Sequence, residues 1–340
     1  MIGLWDTNGT AVVKALSAER RSAGGVTSGL ALTLIAVVHE GQVHAAEAAA
    51  TIAAAAHPCR LLLVVRADVT DSTSRLDAEV VVGGRLGPCE AVVMRMSGRL
   101  ALHAESVVEP LLAPDVPVVT WWQCAPPERI AYDPLGVVAG RRITDCAQSE
   151  DPIGALRVRA DDYAPGDTDL AWTRITPWRT LVASAFDTVR AAPVSAVVVA
   201  PAADPSAALL GGWLSARLGI TPVLEPAGAG AAVVGGGGIT AVSVGLSDGG
   251  TIEIIRENGN ALLRRAGLPE RRLPLGDRPL GEDLAEELRR LDPDQPYAAA
   301  LAAATGRSGL DDRSPTRVHV WHDPALAERP DTALAAGTAA

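Results

Sequence analysis

The sequence predicts an α/β protein made of two layered domains: an N-terminal sheet flanked by helices and a smaller C-terminal α/β unit. Three observations carry this. Continuous apolar runs of strand length, such as Ala31–Val38 and Cys59–Val65, alternate with segments of helix length. The 340 residues suffice for two domains of ordinary size. Finally, 48% of the residues are hydrophobic but only 3% are aromatic, so the core must be built from Ala, Val and Leu. Strands and helices alternating at these lengths imply a largely parallel sheet, with binding sites at its carboxyl edge.

Thr10–Ser22 places Val12, Val13 and Leu16 at helical spacing before a Gly24-Gly25 stop. Ala31–Val38 reads as a buried strand. Val43–Ala56, nearly all alanine, reads as a closely packing helix that ends at His57-Pro58, because a residue before proline is pushed out of the helical region. Cys59–Val65 is the next buried strand. Asp77–Val82 and Ala91–Met96 are two more, joined through Gly83-Gly84 and Gly87-Pro88. Leu100–Val108 reads as a connecting helix, and Val116–Thr120 as a strand opened by Pro117 and ended by Trp121 and Trp122. Thr176-Pro177 signals a helix start, followed by Trp178, Leu181, Val182, Ala185, Phe186 and Val189 on one helical face. The crossing into a second domain is expected near Ala191, giving domains 1–190 and 191–305. In the second, Val194–Val199, Ile239–Leu246 and Thr251–Arg256 are strands, the last two around an Asp248-Gly249-Gly250 hairpin signal. Asp204–Leu218, Gly281–Leu291 and Pro296–Thr305 are helices, and residues 306–340 read as a mobile tail.

Charge and composition exclude several roles. A formal net charge of −10 argues against a nucleic-acid surface, which needs a basic face. The longest apolar run, Gly29–Val38, is too short to span a bilayer, and the N-terminal MIGLWDTNGT lacks the basic start of a signal peptide. The cysteines, Cys59, Cys89, Cys124 and Cys146, follow no metal or redox spacing, so a cytoplasmic protein with reduced thiols is expected.

Catalytic motifs are missing. The single lysine, Lys14, follows Val13 rather than glycine, so there is no phosphate loop. Ser28 in GGVTSG lacks the spacing of a nucleophile elbow. Gly228-x-Gly230 resembles part of a dinucleotide fingerprint, but Val233 stands where its third glycine belongs. His319-x-x-His322-Asp323 lacks further metal ligands. His57 beside Cys59 reads as a structural pair, and His103 as an ordinary helix residue. No cofactor or metal site is predicted.

Two patches have the composition of a recognition surface. Between Leu111 and Asp145, the pair Trp121-Trp122 precedes a Pro-rich turn and then Arg129, Tyr132, Asp133, Arg141, Arg142 and Asp145. Successive strand side chains point to opposite faces, so the two indoles cannot enter the same core layer. The competing view is one core indole and one half-covered, with the charges solvated. Between Asp169 and Val189, Trp172, Arg174 and Arg179 flank the helix start. Arg129, Arg141 and Arg142 would alternatively suit a sugar phosphate or NADP in a sheet-edge pocket.

Several long segments, taken in order, resemble the glucose-6-phosphate dehydrogenase assembly protein family, OpcA, in its actinobacterial form. They are TAVVKALSAERRSAGG (10–25), AAHPCRLL (55–62), RLGPCEAVVMRM (85–96), LLAPDVPVVTWW (111–122), DPLGVVAGRRITD (133–145) and DLAWTRITPWRTLVA (169–183). The resemblance covers roughly residues 1–305. It implies an N- and a C-terminal domain and a non-catalytic cytosolic partner that promotes the active dehydrogenase oligomer, feeding NADPH production in the oxidative pentose phosphate branch. The redox control associated with cyanobacterial relatives is not implied here, because the cysteines stand 30, 35 and 22 residues apart and form no close pair.

Overall fold

The computed structural model describes residues 1–315 apart from 24–28, 68, 70, 84–89, 131, 188 and 228–237. Its first half runs β1 (Ile2–Leu4), α1 (Gly9–Ser22), β2 (Leu32–Val38), α2 (Val43–Ala56), β3 (Cys59–Arg66), β4 (Arg75–Val82), β5 (Glu90–Ser97), α3 (Arg99–Leu102), α4 (Glu105–Val108), β6 (Val118–Trp122), α5 (Pro134–Val137), β7 (Arg141–Thr144), α6 (Pro152–Asp162), β8 (Asp167–Asp169), α7 (Leu170–Arg174) and α8 (Thr176–Phe186). The second runs β9 (Pro193–Ala200), α9 (Pro205–Leu218), β10 (Val223–Pro226), β11 (Ala241–Leu246), β12 (Thr251–Glu257), β13 (Asn260–Arg265), β14 (Arg271–Pro274), α10 (Leu280–Leu288) and α11 (Gln295–Thr305). The expected α/β class with two sheets is what the structure has.

The first sheet is ordered β1-β4-β5-β3-β2-β6-β7-β8. Six of its strands are parallel: β5, β3, β2, β6, β7 and β8. Numbered by their appearance in the chain, they stand third, second, first, fourth, fifth and sixth across the sheet, the doubly wound order of dinucleotide-binding domains. Every residue of β2 is buried, as a parallel strand covered on both faces requires. On one face α2 and α10 supply Ala46, Ala50, Ala53, Leu284 and Leu288. On the other, α1, α3 and α4 supply Val12, Leu16, Ala101, Val107 and Val108.

The second sheet, β10-β9-β11-β12-β13-β14, is antiparallel except for the β10–β9 pair. Helices α9 and α8 pack against it, and α11 packs on α9. Asp204 caps α9 through Ala207 N (3.0 Å), and Gly219 at φ +67 ends it. A Cβ on Gly212 would collide with the Ala300 carbonyl, so glycine is what lets α9 and α11 approach.

Several expectations change. Leu100–Val108 is not one helix but two single turns, because His103 leaves the helical region (φ −113, ψ 41). Thr176 begins α8 rather than capping it; Ile175 holds the cap position and makes no side-chain cap bond. The crossing near Ala191 is followed by the first strand of the second sheet. The cores nonetheless divide earlier in the chain: Cys146, Leu156, Trp172 and Trp178 already pack with the second sheet. The expected tail is tied down over its first ten residues. Leu310 is buried, and Arg313 donates to the carbonyls of Ala160, Asp161 and Tyr163. Residues 316–340, with His319, His322 and Asp323, lie outside the described residues, as do Ser28, Cys89 and Gly228-x-Gly230.

Candidate functional site

The proposed recognition patch around the tryptophan pair is not a surface. Trp121 and Trp122 lie inside β6, at 0% and 1% exposure, and alternation sends them into the two opposite cores. The charged residues near them are struts. Arg142, 2% exposed, donates to the Asp167 carboxylate and to the carbonyls of Ala139 and Pro165 (2.8 Å for the last). Arg141, on the opposite face of β7, donates to Glu287 and to the Asp292 carbonyl (2.8 Å). Asp133 caps α5 through Leu135 N (2.9 Å) and binds Arg66 with both oxygens (2.7 and 3.1 Å). Asp145 receives two 2.7 Å bonds from Arg174. Arg129 stacks over the Tyr132 ring at 4.0 Å on the loop after β6. Arg129, Arg141 and Arg142 therefore point to three separate sets of partners. The arginine-lined phosphate pocket expected at the sheet edge does not form.

What the structure does assemble is a cleft of about 650 Å3 between α8 and the α10–α11 junction. Asp169 positions its first wall by capping α7 through Ala171 N (2.9 Å), while also accepting from Thr144 Oγ1 (2.7 Å) and Cys146 N (2.9 Å). Burial, with Asp145 nearby, raises the Asp169 pKa. Trp172 on α7 is 1% exposed, and its Nε1 donates to Asp294 Oδ2 (2.8 Å). The other Asp294 oxygen caps α11 through Tyr297 N (3.0 Å). The free face of the indole is covered by Arg179, whose guanidinium carbon lies 3.5 Å from the ring centroid.

Arg179 is the unusual group here. Its Nη2 donates to Thr176 Oγ1 (2.8 Å), and no carboxylate among the described residues lies within ion-pair distance. Burial pulls its pKa down to about 10, against the attraction of Asp294, Glu287 and Glu286. Arg290 stands exposed on the same cleft, and Arg289 pairs with Glu286 at 2.7 Å. A desolvated, stacked guanidinium on a cleft wall can anchor a carboxylate or a flat polar group of another molecule.

Behind the cleft, a buried network ties the two halves of the chain. Glu287 on α10 accepts from Arg141 and from Thr173 Oγ1. Asp283 lies 3.4 Å from both Arg174 and Arg278. Burial raises the Asp283 pKa to about 6 despite both arginines, with Asp145 adding to the rise. A carboxyl that holds its proton more tightly folded than unfolded favours folding below its unfolded pKa, and that contribution is lost as pH rises toward 6. Between pH 4 and 6 it amounts to about 3 kcal/mol. Urea unfolding of Asp283→Asn beside the parent should show the difference in stability changing by about that amount across the window. A constant difference would refute the assignment.

Sequence reasoning found Trp172, Arg174 and Arg179 but missed Glu287, Asp283 and Asp294. The last carried a readable signal, an Asp followed by Gln295-Pro296 at a helix start. Among the described residues no group of three His, Cys, Asp or Glu could hold a metal, and no helix is long and apolar enough to cross a membrane.

Comparison with known proteins adds the following. Residues 50–161 match the family described as glucose-6-phosphate dehydrogenase subunit N-terminal domain, and residues 165–301 match the corresponding C-terminal domain. Over 145 residues the chain is 32% identical to the putative OxPP cycle protein OpcA of Synechococcus elongatus, a match that covers 40% of this chain and 32% of that protein. The chain thus spans about a third of that relative. Among solved structures, the 3-ketoreductase KijD10 of Actinomadura kijaniata shares 12% identity at a TM-score of 0.44, covering 82% of this chain and 96% of that one. An NAD-binding oxidoreductase from Klebsiella pneumoniae shares 12% at 0.38, covering 82% and 94%. These scores are too low to bear on fold or activity.

Proposed function

The chain belongs to the OpcA family of glucose-6-phosphate dehydrogenase assembly proteins, and from that premise we propose that it is a non-catalytic partner of the dehydrogenase, favouring its active oligomer. The observation that carries this is the ordered match of both family domains across residues 50–301. The name of the cyanobacterial relative, an oxidative pentose phosphate cycle protein, supports the same pathway. A cytoplasmic location fits the thiols of Cys59, Cys124 and Cys146, which form no disulfide among the described residues.

The mechanism is linkage: a protein that binds the active dehydrogenase state more tightly shifts the equilibrium toward it, by no more than its differential affinity. A tenfold gain in the dehydrogenase's apparent substrate affinity needs only about 1.4 kcal/mol of coupling. We place the docking surface at the Trp172–Arg179 cleft, with the half-buried Arg174 and the exposed Arg129 and Tyr132 as further members of the set. Arg179 there is a half-buried cation stacked on an indole, with no carboxylate among the described residues at ion-pair distance.

The test is a titration of the purified chain into the dehydrogenase from the same source, following NADPH formation and oligomer mass together. Activation with a coincident rise in mass is expected, and its end point gives the stoichiometry. Two folded proteins that change neither quantity would overturn the proposal.

A further inference from the structure

A second cavity, of about 550 Å3, lies where the doubly wound sheet reverses direction. It opens at the carboxyl ends of β2, β6 and β7, between His39, Gln123 and Thr144, and α6 closes its far side with Ala155 and Val158. Crevices at this reversal are the ligand sites of open parallel sheets, and the volume is that of an ordinary small-molecule pocket. The sequence points to the carboxyl edge of the sheet as a place for binding sites, but not to Gln123 or Arg159.

The walls carry unspent hydrogen-bonding capacity. Gln123 and Arg159 both line the crevice, and each is 6% exposed. Arg159 Nη2 donates to the carbonyls of Pro127 (2.9 Å) and Glu128 (2.6 Å), fixing the loop after β6. Its Nη1 and the Gln123 Oε1 are buried with no hydrogen-bond partner in the protein. Buried polar atoms of native proteins are nearly always satisfied, and an exception needs a cause. Here a donor and an acceptor are left over on two residues that line one cavity.

The electrostatics select against phosphate. The turn after β2, His39-Glu40-Gly41-Gln42, offers one glycine where a pyrophosphate turn needs three, and it carries Glu40, held by Arg95 at 2.8 Å. Glu128, Asp145 and Asp151 add carboxylates to the rim. Cys124, Ala125, Pro126 and Val158 make the remaining wall largely apolar. A flat uncharged group with one donor beside one acceptor suits such walls, and amides and nucleobases present that edge.

We infer that this crevice binds an uncharged ligand through an amide-type edge, a nucleobase or carboxamide accepting from Arg159 and donating to Gln123. The inference is independent of the dehydrogenase partnership. It is tested by calorimetry and thermal denaturation of the full chain with adenosine, guanosine, cytidine, uridine and nicotinamide, and with AMP as the phosphorylated arm. At least one of the five uncharged compounds should bind saturably and raise the Tm. Gln123→Met should weaken that binding about tenfold while leaving the ligand-free Tm equal or higher, because it removes a buried atom with no partner. Val158→Trp, which adds bulk to the cavity wall and keeps both polar residues, should abolish binding.

No saturable binding to any of the five, or full affinity in both variants, would overturn the inference. So would AMP binding far more tightly than adenosine, which would assign the crevice to phosphate. A lower ligand-free Tm for Gln123→Met would make that residue structural and would also overturn it.

Discussion

Replacing Arg142 by methionine is expected to cost about 3–5 kcal/mol of folding stability, the range seen when one partner of a buried ion pair is removed. The guanidinium joins three pieces of chain. It binds the Asp167 carboxylate at the start of β8, the Ala139 carbonyl before β7 and the Pro165 carbonyl after α6. Gly166, at φ +96, brings the backbone close enough for this, and a Cβ there would strike the Gly140 carbonyl. Methionine fills the volume but leaves Asp167 charged and buried, with Ala164 N (2.8 Å) a remaining donor. Urea unfolding should show the loss. The double variant Arg142→Met with Asp167→Leu should recover part of it, because the pair is removed together. A loss below about 1 kcal/mol would contradict a strut role and return Arg142 to the candidate contact residues.

That residue also illustrates what a sequence can and cannot disclose. The strands β2 and β3 and the alanine helix α2 were legible because each follows a local rule: a continuous apolar run, or small residues at helical spacing. The strand β7, RRIT, follows none. Its two arginines are buried only because their partners arrive from far along the chain, Asp167 at 25 residues and Glu287 at 146. Charged residues in an isolated window read as solvated or as a recognition surface, and no periodicity distinguishes a third outcome. The Trp121-Trp122 pair misleads for a related reason. Its composition is that of an interface, yet two more residues of strand place both indoles inside β6 and under helices on either side. Trp172 and Arg179 were found from sequence as neighbours of a helix start. Their stacking depends on how α7 meets α8.

Substituting Arg179 by alanine should raise the concentration needed for half-maximal dehydrogenase activation about 30-fold, equivalent to about 2 kcal/mol of binding free energy. The size follows from the state of the group before docking. Its guanidinium is already desolvated against Trp172, so a partner carboxylate or planar amide meets a cation whose hydration has largely been removed. The variant should fold normally. Arg179 contributes a hydrogen bond to Thr176 Oγ1 and a stack, while its burial as a charge opposes folding, so the two effects nearly cancel. Lysine should restore little, since an ammonium cannot stack on the indole and present a planar fork at once. Raising the ionic strength should weaken activation of the parent protein more than that of the alanine variant, because screening acts on the charge the variant lacks. Equal half-activation concentrations for the parent and a folded Arg179→Ala protein would rule this cleft out as the docking site and leave the Arg129–Tyr132 loop as the surface to probe next.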